Sequence, residues 1–398
     1  MATLLKIDER PRASRQAQGF ALWQLGFRPF YLLASAFAAL SIGLWALQFS
    51  GWLHHTYLSG PIWHAHEMLF GFALAVVVGF LLTAGRNWSG QPTPTGRPLM
   101  ALAALWIAGR ILVLSPFGWT AAVVNVAFPL AAAVALARAL YKGSNRRNYF
   151  FVGLLMAMAV AQALVHLSQL GVIAPLGGVA IQVGLDVLLF IISVITGRVI
   201  PMFTNNGAPG ATAVSKPWLG QLASGSVLVL LVADALQLPG PAITLVAAIA
   251  AAAHLARWAL WKPWQTLRSP IVWVLHAACF WIPVHLALRA LAQAGWVPPS
   301  VATHALTVGV AGGLIIGMMT RTARGHTARL LRADRWDITL YALVLAAAPV
   351  RVFVPLLAPA ATMHAILCAA VLWSAGFALY AVRYWPVLMR PRLDGLRG

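Results

Sequence analysis

Two imidazoles and a carboxylate stand together in Pro61-Ile-Trp-His-Ala-His-Glu-Met68, just where a strongly apolar run from Leu69 to Ala84 begins. Ionisable groups at or inside the edge of a membrane are costly, so His64, His66 and Glu67 are functional-site candidates. The plainer alternative is that the two histidines cap an interfacial helix end beside the anchor Trp63. Imidazole suits haem iron, copper and zinc, and it is a common axial haem ligand. Residues two apart on a regular helix point to nearly opposite faces. His64 and His66 can therefore share one metal only if the first turn is irregular. Otherwise His66 is the inward ligand and His64 serves a second site or a hydrogen bond. Glu67 can orient a ligating imidazole as its acceptor, or relay protons.

The eleven histidines sort by depth. His64, His66, His166, His285, His304 and His364 fall in the outer third of their apolar segments or at the outer edge. His54 and His55 lie in the outer loop, His276 lies toward the inner side, and His254 and His326 lie near the inner surface. Interfacial anchoring alone explains such clustering poorly. We therefore take His66, His304, His276 and His166 as cofactor-binding candidates, and His64, His66 and His304 as metal ligands. Shared depth predicts that His66 and His304 face each other. His276 and Cys279 share a helix face, a weak signal in so apolar a segment. The deep acids and amides are Asp186, Asp234 and Gln162. Asp186 is too far along its helix from Arg198 to pair with it and needs a partner on another helix, for a proton path or for a structural hydrogen bond. Arg110 and Arg351 lie roughly 18–21 Å from the inner end of their helices at ~1.5 Å per residue, deep enough to require a partner. An acidic cofactor edge would serve, and so would Glu67, Asp186 or Asp234. Arg289 reads as a side chain snorkelling to the outer surface.

These side chains sit on elements dictated by composition. The 398-residue chain is 61% hydrophobic and 9% charged, against roughly 25% charged in a soluble domain. A membrane-crossing helix needs about 20 apolar residues. The apolar runs predict an all-α polytopic protein with spans at 28–48, 64–84, 98–116, 119–140, 149–171, 177–200, 218–237, 240–260, 270–292, 300–320, 337–357 and 361–383. Pro201 is expected to stop the sixth. The net charge of +20 would suggest nucleic acid were it not confined to membrane-flanking loops. Lys6, Arg10, Arg12, Arg15 and Arg397 at the ends, and the groups near Arg86, Arg147, Lys216, Arg268 and Arg332, all fall on one side of twelve spans, while the alternate loops carry no Lys or Arg. That is a positive-inside pattern with both termini cytoplasmic. It gives a cytoplasmic N-terminal segment 1–25, a transmembrane domain 26–384 and a basic cytoplasmic tail 385–398. The polar, basic N-terminus lacks the apolar core of a signal peptide. Cys279 and Cys368, both in apolar runs, form no CxxC pair or disulfide framework.

An internal echo links two outer-to-inner segments. His66-x4-Gly71-x7-Gly79-x6-Arg86 has the spacing of His304-x4-Gly309-x7-Gly317-x6-Arg324. Glycines on one helix face permit close helix approach.

Taken together, several stretches resemble the NnrS family: Gly26-Phe-Arg-Pro-Phe30, Trp63-His-Ala-His-Glu-Met68 with Gly71-Phe72, Gly197-Arg-Val-Ile-Pro201 with Phe203-Thr204, Leu275-His276, His304-Ala-Leu-Thr-Val-Gly309, and Met319-Thr-Arg321 through Gly325-His-Thr327. Ala328 departs from the glycine expected after His-Thr, and His285 and His364 match no family motif. The resemblance implies a bacterial inner-membrane protein containing haem, of b-type, and copper. It also implies a part in nitric oxide metabolism and protection from nitrosative stress. On that footing Arg110 and Arg351 are candidates to pair with haem propionates. Nitric oxide would be reduced, or otherwise bound, at an open metal position, with electrons from a quinone or small donor. A different class remains open from the residues: a proton-coupled transporter or channel using intramembrane histidines and Asp186, a reading that the echo favours because transporters often carry repeats.

Overall fold

Within hydrocarbon every backbone polar group must be satisfied internally, which leaves helices as the economical way to bury so apolar a chain. The computed structural model describes residues 19–53 and 56–396. His54, His55, Lys6, Arg10, Arg12, Arg15 and Arg397 lie outside the described residues. Twelve long helices and no strand are found among those described: α1 Phe27–Phe49, α2 Gly60–Ser89, α3 Arg97–Leu112, α4 Gly118–Lys142, α5 Phe150–Gln169, α6 Gly177–Gly207, α7 Pro217–Ala235, α8 Gly240–Leu260, α9 Pro270–Gln293, α10 Pro299–His326, α11 Arg335–Leu357 and α12 Thr362–Met389. Eleven are long and apolar enough to cross a membrane. The exception is α3, whose 16 residues reach about 24 Å at ~1.5 Å per residue. It ends before the expected residue 116 because the chain beyond it turns at Pro116. The Val113 and Ser115 carbonyls instead accept from the Leu58 and Tyr57 amides of the α1–α2 loop.

Two further ends differ from expectation. Pro201 does not stop α6, which runs on to Gly207. A proline ring clashes with the carbonyl four residues earlier, here that of Gly197, and membrane helices tolerate such breaks when neighbours re-satisfy the backbone. The apolar Ile200, Met202 and Phe203 carry the helix onward. Likewise α12 continues past 384 to Met389, since Leu388 is fully buried. The Arg28 side chain, also fully buried, donates to the Leu388 and Arg390 carbonyls at 2.9 and 2.8 Å. It thereby ties α1 to the end of α12. Successive helices pack on one another around the molecule, and α12 closes on α1.

The echo is visible in the backbone. Immediately after His66, α2 passes into a π-helical stretch, Glu67–Ala73; immediately after His304, α10 does the same over Ala305–Gly312. Such bulges are rare and frequent at functional sites. The equivalent glycines receive equivalent neighbours. Gly79 lies against Phe30 of α1, and Gly317 lies against Leu275 of α9, in each case the preceding helix. The C-terminal ends of both helices carry arginine, Arg86 and Arg324. Arg324 bonds Asp334, Asp337 and Tyr384.

Candidate functional site

The histidines nearest the start of α2 separate onto its two faces, and each meets a partner from elsewhere. The His64 ring faces His304 of α10, with centroids 6.5 Å apart and planes 16° from parallel. The His66 ring meets His166 of α5 at 4.9 Å, edge to face. Depth alone paired His66 with His304. The structure pairs His64 with His304 instead, because two residues of helix turn His66 toward α3, α4 and α5.

The first pair borders a cavity of about 390 Å³ lined by α1, α2, α6, α10, α11 and α12, within the range of cofactor pockets. Met68, one turn beyond His64, shares the wall, as do Phe72 and Trp373. His304 Nδ1 donates to the Ser300 carbonyl at 2.6 Å. Since a carbonyl can only accept, the proton is on Nδ1 and Nε2 is left with its lone pair. His64 Nδ1 has no hydrogen-bond partner among the described residues. Arg351 of α11 also lines the cavity, close enough to both rings for its charge to reach them.

The second pair sits in a polar network on the other side of α2. His66 Nδ1 donates to Glu67 Oε1 at 2.7 Å, and Gln162 Nε2 donates to His66 Nε2 at 3.2 Å. The Tyr57 hydroxyl donates to the His166 carbonyl and accepts from His166 Nδ1 at 3.2 Å. His166 Nε2, Glu67 Oε2 and Gln162 Oε1 are buried without partners among the described residues. Arg110 reaches the same carboxylate at 3.3 Å and bonds Asn125 Oδ1. Glu67 therefore serves as the acidic partner of Arg110, the alternative to a propionate. Gly71 makes this possible, since a Cβ there would collide with the Arg110 guanidinium.

Other candidates lie apart. His276 pairs with Thr204 Oγ1 at 2.7 Å, deeper in α9 and in neither histidine pair. Asp186 finds its partner in Arg289, which is 5% exposed and bonded to Asp234 as well; burial overturns the snorkelling reading. His254 is buried against Ser193 and Arg257, near the end of α8. Sequence reasoning passed over Asn125 and Tyr57. An amide in the middle of the apolar α4 was a usable signal for Asn125, whereas a loop tyrosine carries none.

Among the described residues no three His, Cys, Asp or Glu side chains gather closely enough to hold a metal unaided. A group that brings its own metal, as haem does, would need only the imidazoles of such a pair to hold it. His304 Nε2 keeps its lone pair beside the cavity, and His64 Nδ1 and His166 Nε2 have no partner among the described residues, so each pair offers a nitrogen of the kind that haem iron and copper take. The residues present thus fit a metal-bearing group. Fold and site together define a multi-pass α-helical membrane protein with two histidine pairs on opposite faces of one helix, one pair fully buried and the other bordering a cavity. The model of the family described as NnrS protein matches residues 21–392, and the chain belongs to the NnrS family. A comparison with curated proteins found no match.

Proposed function

We propose that the chain is a haem- and copper-binding protein of a bacterial inner membrane that acts on nitric oxide in metabolism or in protection from nitrosative stress. The observation that carries this reading is the facing of His64 and His304 across a cavity whose wall also holds Arg351. Haem would lie there, held by the two imidazoles, with Arg351 toward its carboxylates, since guanidinium binds carboxylate in a two-point fork. Copper would lie at His66 and His166, taking the His66 Nε2 lone pair in place of the Gln162 amide, while Glu67 fixes the orientation of His66 by the hydrogen bond that commonly supports a metal-bound imidazole. When bound, the two groups would supply electron transfer and an open coordination position for nitric oxide, with a quinone or small donor as electron source.

The chain's own residues do the positioning. Ser300 holds the His304 ring through its carbonyl, Tyr57 holds His166, and Leu69, Phe72 and Trp373 keep the cavity wall apolar. His64→Ala and His304→Ala should each abolish the Soret band of the purified protein. His66→Ala and His166→Ala should lower copper by metal analysis and leave that band. Full haem and copper in all four variants would overturn the assignment. A colourless, metal-free wild type would instead favour proton-coupled transport, for which the Asp186–Arg289–Asp234 cluster is the supporting observation.

A further inference from the structure

Three charged side chains from three helices meet away from both histidine pairs. Arg289 Nη1 of α9 bonds Asp186 Oδ1 of α6 at 2.6 Å, and Arg289 Nη2 bonds Asp234 Oδ2 of α7. Asp186 is fully buried, and the side chains of Arg289 and Asp234 are 6% and 10% exposed. From α6, Gln182 Nε2 donates to Asp186 Oδ1 at 3.2 Å. From α9, His285 lies one turn before Arg289 and near enough to Asp186 for their charges to interact.

The charges do not balance. Two carboxylates and one guanidinium leave one negative charge in surroundings where an uncompensated charge is costly. The hydrogen bonds do not balance either. His285 Nδ1 donates to the Ala302 carbonyl at 2.8 Å, so its Nε2 can only accept. Neither His285 Nε2 nor Asp186 Oδ2 has a partner among the described residues, and both atoms are buried. Two bare acceptors stand beside an excess negative charge, with no donor left to serve them.

We infer that the Asp186–Arg289–Asp234 triad is a binding site for one proton. A proton on Asp186 Oδ2 cancels the excess charge and places a donor among the bare acceptors. Asp234 is at the end of α7, Arg289 is near the end of α9, and Asp186 is in the first third of α6, so the site lies toward the end of the bundle that carries both histidine pairs. A metal cation fits less well, because hard cations take several oxygen ligands and only one bare carboxylate oxygen is offered beside an imidazole nitrogen. The hydrogen bond from His285 to Ala302 joins this site to the first turn of α10, two residues before His304.

The test is infrared spectroscopy of the purified full chain. With eight acidic residues in the whole sequence, a protonated carboxyl can be assigned by substitution. The wild type at neutral pH should show a carboxylic-acid C=O band that shifts in D2O. Asp186→Asn and Asp234→Asn should each remove it, since either leaves Arg289 with one carboxylate and a balanced pair that has no need of the proton. Glu67→Gln, on the opposite network, should leave the band in place. No such band in the wild type, or a band indifferent to both Asn variants, overturns the proposal. So does a band that appears only when sodium is withdrawn, which would assign the site to a cation. The band requires neither haem nor copper, so this outcome is separate from the fate of the metal assignment.

Discussion

Arg110 and Arg351 show how one residue type at one depth takes two roles. Arg110 is committed to Glu67 and Asn125 in a closed network, while Arg351 faces a cavity. Removing one member of a buried pair costs about 3–5 kcal/mol, because the other charge is left uncompensated. Arg110→Met should therefore lower the thermal-unfolding midpoint sharply in detergent, and adding Glu67→Gln should recover most of the loss. Arg351→Lys is expected to leave stability unchanged and to weaken haem retention, measured as the rate at which the Soret absorbance is lost to a haem acceptor protein. Equal stability loss in the Arg110 and Arg351 variants would contradict the division of labour.

At the scale of elements, α2 and α10 are variants of one device: a histidine, a π-helical stretch, and glycines that admit the preceding helix. Positions 64 and 68, one turn apart, line a cavity on one face of α2, while the adjacent positions 66 and 67 join one network on the other. The glycines set the closeness. A Cβ on Gly309 would stand 2.5 Å from the Trp281 ring, which cannot move aside easily. Overpacking of this kind costs about 1–3 kcal/mol. Gly309→Ala should lower the unfolding midpoint and displace His304, read as reduced haem content in protein that still inserts. An alanine variant with wild-type midpoint and haem content would show that the approach is not tight.

Across the whole molecule, the loops that join α4 to α5, α6 to α7, α8 to α9 and α10 to α11 carry Lys or Arg, the α2–α3 loop is flanked by Arg86 and Arg97 on its two helices, and the loops between the other helix pairs carry none. From the positive-inside bias we propose that the basic end faces the cytoplasm and the histidine pairs the opposite surface. A reporter fused at residue 56 should read as periplasmic and one at residue 145 as cytoplasmic. The reverse at either site would end this orientation. The histidine pairs and the proton-binding triad share one end of the bundle, so protons and small ligands would enter from that side.

Hydropathy and loop charge alone determined the helix count and the position of most helix ends within a few residues, because a bilayer selects length, polarity and flanking charge locally along the chain. The same reading brought out Glu67 beside His66, since neighbours in sequence stay neighbours in a helix. Which histidine meets which was decided only by the tertiary structure. Depth is one coordinate, whereas pairing also depends on the rotation of each helix and on which helices pack together. Those follow from glycine contacts, from the π-helical stretches and from the Arg28 tie between α1 and α12. For the same reason Arg289 read as a surface arginine, since its partners Asp186 and Asp234 lie 103 and 55 residues away along the chain.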